Sequence, residues 1–211
     1  SVRRLTCDLA GQKIKLESSA ADYGPLILPL AGAHQAANAA IAVAALEELA
    51  AQAGLDLPAL AVKAGLESVR WPGRFQVLSA DPPLIVDGAH NPEGAQALAQ
   101  SLRELLPDRP LGLVLGMCAD KDVANFMAPF ADLVRRCWTA PLPNERSLDP
   151  AALAGLASAR GWPTTASSLA HALEEAAVWA RAEHGVVCVT GSLFLAGQAL
   201  ELKLGPDLFP A

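Results

Sequence analysis

The chain has 211 residues, the size of one large domain or two small ones. Hydrophobic residues make up 52% and charged residues 18%, ample for a folded core and incompatible with a disordered tail. Lysine and arginine total 16 against 22 acidic residues, net -6, and the whole excess falls after residue 74; no stretch is basic enough to track a phosphate backbone, so no nucleic-acid partner is expected.

The densest apolar run, residues 36–46, is mostly alanine, is broken by Asn38 and is followed by Glu47 and Glu48. It is too short and too weakly apolar to span a bilayer, and no membrane partner is expected. No basic segment followed by an apolar core opens the chain, so nothing suggests secretion. Cys7, Cys118, Cys137 and Cys188 are far apart and form no CxxC. Cys118 and Cys188 fall in apolar, strand-like runs. All four read as reduced core residues of a cytoplasmic protein, with neither a disulfide framework nor a zinc site. No lysine carries the preceding glycine of a GxxxxGK[ST] phosphate loop.

In chain order, a polar, strand-like start leads to an apolar run at residues 26–30. Gly32-Ala33-His34-Gln35 then opens a long helix to about Ala53. Gly54, Asp56 and Pro58 punctuate, and a second helix is predicted over 58–68, with Pro58 suited to a first turn. Trp71-Pro72-Gly73-Arg74 is a break, because Pro and Gly together do not continue a helix. The domain boundary is placed there, giving 1–73 and 74–211. Beyond it, strands are predicted at 75–78, 84–86, 111–115, 137–139 and 186–190. Helices are predicted at 92–105, 123–134, 150–159, 169–184 and 193–202. Such alternation implies an α/β fold, a Rossmann-like, mostly parallel sheet wound by helices and preceded by a partial α/β unit. The runs at 111–115 and 186–190 are apolar throughout, as strands buried on both faces should be.

In an open parallel sheet, ligands bind outside the carboxyl ends of strands. The unusual polar residues fall there. The run 84–86 ends at Asp87-Gly88-Ala89-His90-Asn91-Pro92, where Asn91 and Pro92 suit the start of a helix. Asp87 and His90 are thus held in a turn at a helix N-terminus, suited to a ribose, a phosphate or a carboxylate; an equal reading is that Asp87 merely bonds the turn and His90 is a satisfied loop histidine. Gly116-Met117-Cys118-Ala119-Asp120-Lys121-Asp122 follows the next strand, with helix capping the default role for one aspartate. Thr190-Gly191-Ser192 follows the last, with Ser192 placed as an N-cap. In the first part His34 and Asn38, at i and i+4, share a helix face. Arg74 stands at the interdomain break. A nucleophilic triad finds no support, since Ser192 lacks a GxSxG context, and the four histidines lack metal-ligand spacing, so no metal site is assigned.

Gly32-Ala33-His34-Gln35 with Asn38, Trp71-Pro72-Gly73-Arg74-Phe75, Asp87-Gly88-Ala89-His90-Asn91-Pro92, Asp120-Lys121-Asp122 and Thr190-Gly191-Ser192-Leu193 occur in the order and rough spacing of folylpolyglutamate synthase, in bacteria often bifunctional with dihydrofolate synthase. The resemblance covers nearly the whole chain. Mur peptidoglycan ligases share the architecture but typically have His-Asn where this chain has His34-Gln35. The resemblance implies an ATP-dependent ligase in which a folate or dihydropteroate carboxylate is phosphorylated and the amine of L-glutamate attacks the acyl phosphate. Carried over by position, Asn38, Arg74 and Asp87 would contact ATP, and His90 and Ser192 would act beside the incoming glutamate. The family's N-terminal half, with its phosphate loop and most Mg2+ ligands, has no counterpart here. Residues 1–73 would be the end of the central ATP-binding domain and 74–211 the C-terminal ligase domain, and the isolated chain is expected to be a monomer and inactive. The alternatives are a non-catalytic nucleotide-binding module and a piece of a Mur peptidoglycan ligase.

Overall fold

A computed structural model describes residues 1–205; the end of the predicted second domain, 206–211, lies outside the described residues. The chain divides into two compact units, Ser1–Trp71 and the residues from Pro72 on.

In the first unit β1 (Val2–Asp8), β2 (Gly11–Glu17) and β3 (Asp22–Leu28) form an antiparallel sheet in that order. The Asp8 carboxylate closes the first turn by accepting from the N–H groups of Ala10 and Gly11. In β2 the pleat turns Ile14 and Leu16 inward and Lys13 outward. Two helices follow, α1 (Ala33–Ala53) and α2 (Ala59–Ser68), and α1 stops at Gly54 in the left-handed conformation. Ile14, Leu16, Leu26 and Leu28 pack with Ala36, Ala39, Val43 and Val62 as the core. The expected run at 26–30 is the end of a longer strand, which stops before Pro29. Pro29 has no N–H to donate to a ladder.

Tyr23 is buried in this unit, and its hydroxyl donates to the Glu47 carboxylate, which also accepts from the Ser18 hydroxyl at 2.6 Å. Burial, reinforced by Glu47, pushes the phenol up to about 12, against 10.0 in the ordinary case.

The second unit holds β4 (Gln76–Ala80), β5 (Pro83–Val86), β6 (Leu111–Leu115), β7 (Val134–Thr139), β8 (Thr164–Ala166) and β9 (Val186–Thr190). Their spatial order is β4-β5-β9-β6-β7-β8. All neighbours are parallel except β4, which pairs antiparallel with β5 at one edge. The helices are α3 (Pro92–Leu105), α4 (Val123–Met127), α5 (Pro150–Ser158), α6 (Leu169–Glu183) and α7 (Leu193–Leu204). This is an α/β fold with a mixed, mostly parallel sheet wound by helices. Crossovers from β5 to β8 step in one direction, and α6 carries the chain back; right-handed connections therefore put α6 on the face opposite α3, α4 and α5. On the α6 and α7 face, Val114, Trp138, Val187 and Val189 pack with Leu173, Ala176, Leu195 and Leu200. Gly112 leaves room for Trp179, whose ring lies where a Cβ would be.

The structure departs from the expected elements at four places. The helix expected over 123–134 stops at Met127 and continues only as a 3-10 turn at Ala128–Phe130, because Pro129 cannot extend the ladder. β7 then begins at Val134, earlier than 137. The short edge strand β8 is not evident from its Thr164-Thr165-Ala166 sequence. Cys118 lies past the end of β6, in a loop that bridges to Ser147.

Tyr23 gives a pH test. The folded state favours the neutral phenol, so its contribution to stability is complete below pH 10 and is lost as pH rises through about 12. Tyr23 is the chain's single tyrosine, so ultraviolet titration reads it directly. The expected midpoint is near 12 in the native chain and about 10 in denaturant; equal midpoints would show that the phenol is not held this way.

Candidate functional site

The carboxyl ends of β5, β9 and β6, neighbours in the sheet, are stitched together through backbone. Asp87 N–H donates to Val189 O at 3.0 Å, Gly191 N–H to Ala89 O at 2.9 Å and Gly116 N–H to Thr190 O at 3.3 Å. Gly191 has φ 104°, and a Cβ there would lie 2.6 Å from the Gly116 carbonyl oxygen. Only glycine meets both demands.

After β5, the carboxylate of Asp87 is buried and used in the turn. One oxygen accepts from Phe75 N–H and the other from Ala89 N–H, each at 2.8 Å. The turn-bonding role is therefore real. A Cβ on Gly88 would run into the Leu193 side chain and come within 3.3 Å of Arg74 Nη1. A side chain at Gly88 would displace Leu193, and the Arg74 guanidinium lies beside the Asp87 turn. His90 is half-buried, with Nδ1 2.9 Å from the Gly88 carbonyl oxygen. A carbonyl only accepts, so Nδ1 carries the hydrogen and, in the neutral ring, Nε2 presents its lone pair. Asn91 caps α3 through Gly94 N–H, with Pro92 in the first turn.

After β9, Ser192 is buried and caps α7, its hydroxyl accepting from Phe194 N–H at 3.1 Å. After β6, Asp122 caps α4 through Asn125 N–H, while Asp120 faces Arg146, whose Nη2 lies 3.0 Å from both carboxylate oxygens. The Arg146 guanidinium holds the Asp120 carboxyl below its ordinary range.

These loops enclose a cleft of about 170 Å³ lined by His90, Cys118, Lys121, Arg146, Ser192 and Phe194. His90 and Ser192, predicted from two separate strand ends, meet there. Arg74 and Asp87 lie together at the neighbouring turn, and Asn38 lies on α1 in the first unit. The sequence reading missed Cys118 and Arg146 as cleft residues and gave Lys121 no role of its own. Arg146 carries no signal, since it sits in an irregular run between Pro141 and Asp149. Burial pushes the Cys137 thiol up to about 12 and Cys188 well above its usual range, so neither is a nucleophile at neutral pH. Among the described residues, no group of three or more His, Cys, Asp or Glu side chains is placed to hold a metal ion, and no helix is long and apolar enough to cross a membrane.

A parallel α/β sheet whose carboxyl-end loops converge on a cleft is the arrangement in which such sheets place small-molecule sites. Residues 73–193 match the family described as Mur ligase, glutamate ligase domain, and the chain belongs to that family. A Mycobacterium tuberculosis dihydrofolate synthase/folylpolyglutamate synthase is 35% identical over 96% of this chain, which covers 45% of that protein. The structure of Mycobacterium tuberculosis folylpolyglutamate synthase complexed with ADP superimposes with a TM-score of 0.84 at 33% identity, over 95% of this chain and 46% of the other. A bifunctional folylpolyglutamate synthase/dihydrofolate synthase with Mn, AMPPNP and L-glutamate bound gives 0.72 at 28% identity, over 95% and 45%. The chain therefore spans less than half the length of these relatives.

Gly191 is the position to probe. Gly191→Ala is expected to cost about 1–3 kcal/mol, from strain and the clash with Gly116. Gly155→Ala, inside α5 with nothing within 4 Å of the added Cβ, should instead stabilise by about 0.5–1 kcal/mol. Denaturant unfolding of both variants checks the contrast, and similar midpoints would refute it.

Proposed function

We propose that this chain is part of an ATP-dependent ligase that joins L-glutamate to folate or dihydropteroate through an acyl phosphate, with 1–73 belonging to its central domain and 74–211 forming its C-terminal ligase domain. The observation that carries the reading is the meeting of His90 and Ser192, from different strand ends, in one cleft. The relative with L-glutamate bound supports the choice of amino acid.

Glutamate arrives as an ammonium ion and attacks only as the free amine. His90 Nε2, fixed by the Nδ1–H bond to Gly88, is the acceptor in the cleft that can take that proton. The Ser192 hydroxyl, which accepts from Phe194, has its own hydrogen free to donate to a carboxylate. Arg74 and Asp87 fit a nucleotide, since a guanidinium suits phosphate charge and a carboxylate suits ribose hydroxyls. For Asn38 the assignment to ATP rests on the family resemblance alone. When bound, ATP supplies the phosphoryl group that activates the folate carboxylate. The described residues offer no ligand cluster for magnesium, and no step is assigned to it here.

The 211-residue sequence has no phosphate loop, so the chain alone should neither hydrolyse ATP nor ligate glutamate. Magnesium-dependent ligation by the purified chain would overturn this division of labour.

In a full-length enzyme containing the chain, Asp87→Asn should raise the KM for ATP. His90→Ala and Ser192→Ala should lower kcat/KM for glutamate about ten- to a hundredfold, the effect of one hydrogen bond to a charged group. All three also touch turns or caps, so thermal melts accompany the kinetics. A Ser192→Ala enzyme that melts earlier but uses glutamate normally would reduce Ser192 to a cap.

A further inference from the structure

Arg146 is held in an unusual way. Its backbone is clamped on both sides: its N–H donates to Asn144 Oδ1 at 3.0 Å, and its carbonyl accepts from Ala119 N–H at 2.8 Å. The flanking loop is fastened to the loop after β6 by Leu148 N–H on Met117 O, and braced within itself by Leu142 N–H on the Ser147 hydroxyl. The side chain, by contrast, is 61% exposed and reaches the cleft, where it grips Asp120 with both carboxylate oxygens at 3.0 Å. Lys121 Nζ lies 3.7 Å from the same carboxylate. Two cations thus share one carboxylate at the rim of a cleft that also presents the Ser192 hydroxyl and His90 Nε2.

The Arg146 guanidinium donates to Asp120 through Nη2 alone, and a planar group with five N–H donors can pair with a second carboxylate in the same way. Exposed ion pairs are weak and readily exchanged. A diacid entering the cleft has one more carboxylate than its side-chain amide, and Arg146 is the cleft's fork-shaped donor. We infer that Arg146 is a specificity-determining residue of the amino-acid site: it takes the side-chain carboxylate of the incoming glutamate, and Asp120 is the internal anion that this carboxylate displaces. This inference rests on the ligase reading. The exchange leaves the charges balanced, with one carboxylate replacing another on the same guanidinium while Asp120 turns to Lys121 and water. Glutamine, which lacks the second carboxylate, cannot make the exchange and leaves Asp120 in place.

The test is an NMR titration of the 211-residue chain with L-glutamate and, separately, L-glutamine. In the unaltered chain glutamate should shift the amides of the loops after β6 and β9 and bind about ten- to a hundredfold tighter than glutamine. Arg146→Gln should abolish that preference, Arg146→Lys should keep part of it, and Asp120→Asn should tighten glutamate severalfold by removing the competitor. A purely structural ion pair predicts that Arg146→Gln and Asp120→Asn lower Tm alike and leave the preference unchanged, which would overturn the inference. If Ser192→Ala abolishes the glutamate response while Arg146→Gln keeps the preference, the role of Arg146 falls and the ligase reading stands. If glutamate produces no response in the unaltered chain, both fall.

Discussion

The site depends on the close approach of backbone to backbone at the carboxyl ends of β5, β9 and β6. Gly191 N–H reaches Ala89 O, and Gly116 N–H reaches Thr190 O. The first contact requires a positive φ at Gly191 and no side chain there, because Gly116 stands where a Cβ would project. With that stitch in place, the His90 turn and the Ser192 cap are held by the sheet itself. Loops anchored in this way satisfy their polar groups locally and still leave selected atoms, such as His90 Nε2, unused by the fold.

Asp87 and Ser192 show why structural and chemical roles are hard to separate here. The Asp87 carboxylate binds two backbone N–H groups, and the Ser192 hydroxyl binds one. Each bond orients the group that would meet the ligand, much as an outer shell orients a ligating side chain. Loss of either side chain is therefore expected to disturb stability as well as recognition.

The parallel sheet was legible because its inner strands are apolar throughout and its helices begin with strong signals. Asn91-Pro92 and Ser192 start helices where the sequence placed them, since capping is a local interaction between residues two or three apart. His90 and Ser192 could be proposed because strand ends are where such sheets bind ligands. The clamped position of Arg146 was not legible, because it depends on a hydrogen bond from Ala119 N–H and one to Asn144 Oδ1 in an irregular loop, and nothing periodic marks either segment. The truncation of α4 was foreshadowed by Pro129, whose missing N–H counts for more than the apolar pattern around it. β8 escaped notice because a three-residue edge strand has too few alternations to read.

β9 lies between β5 and β6 in the sheet but follows β8 in the chain. During synthesis, β5 and β6 therefore emerge long before the strand that separates them, and until it arrives they have an incentive to pair wrongly or to stay apart. Pairings between segments so distant along the chain form late. The same segment delivers Gly191 and Ser192, so a nascent chain stopped before β9 lacks the strand and one wall of the cleft together. Completion of the sheet and completion of the cleft are thus tied to the same segment of chain.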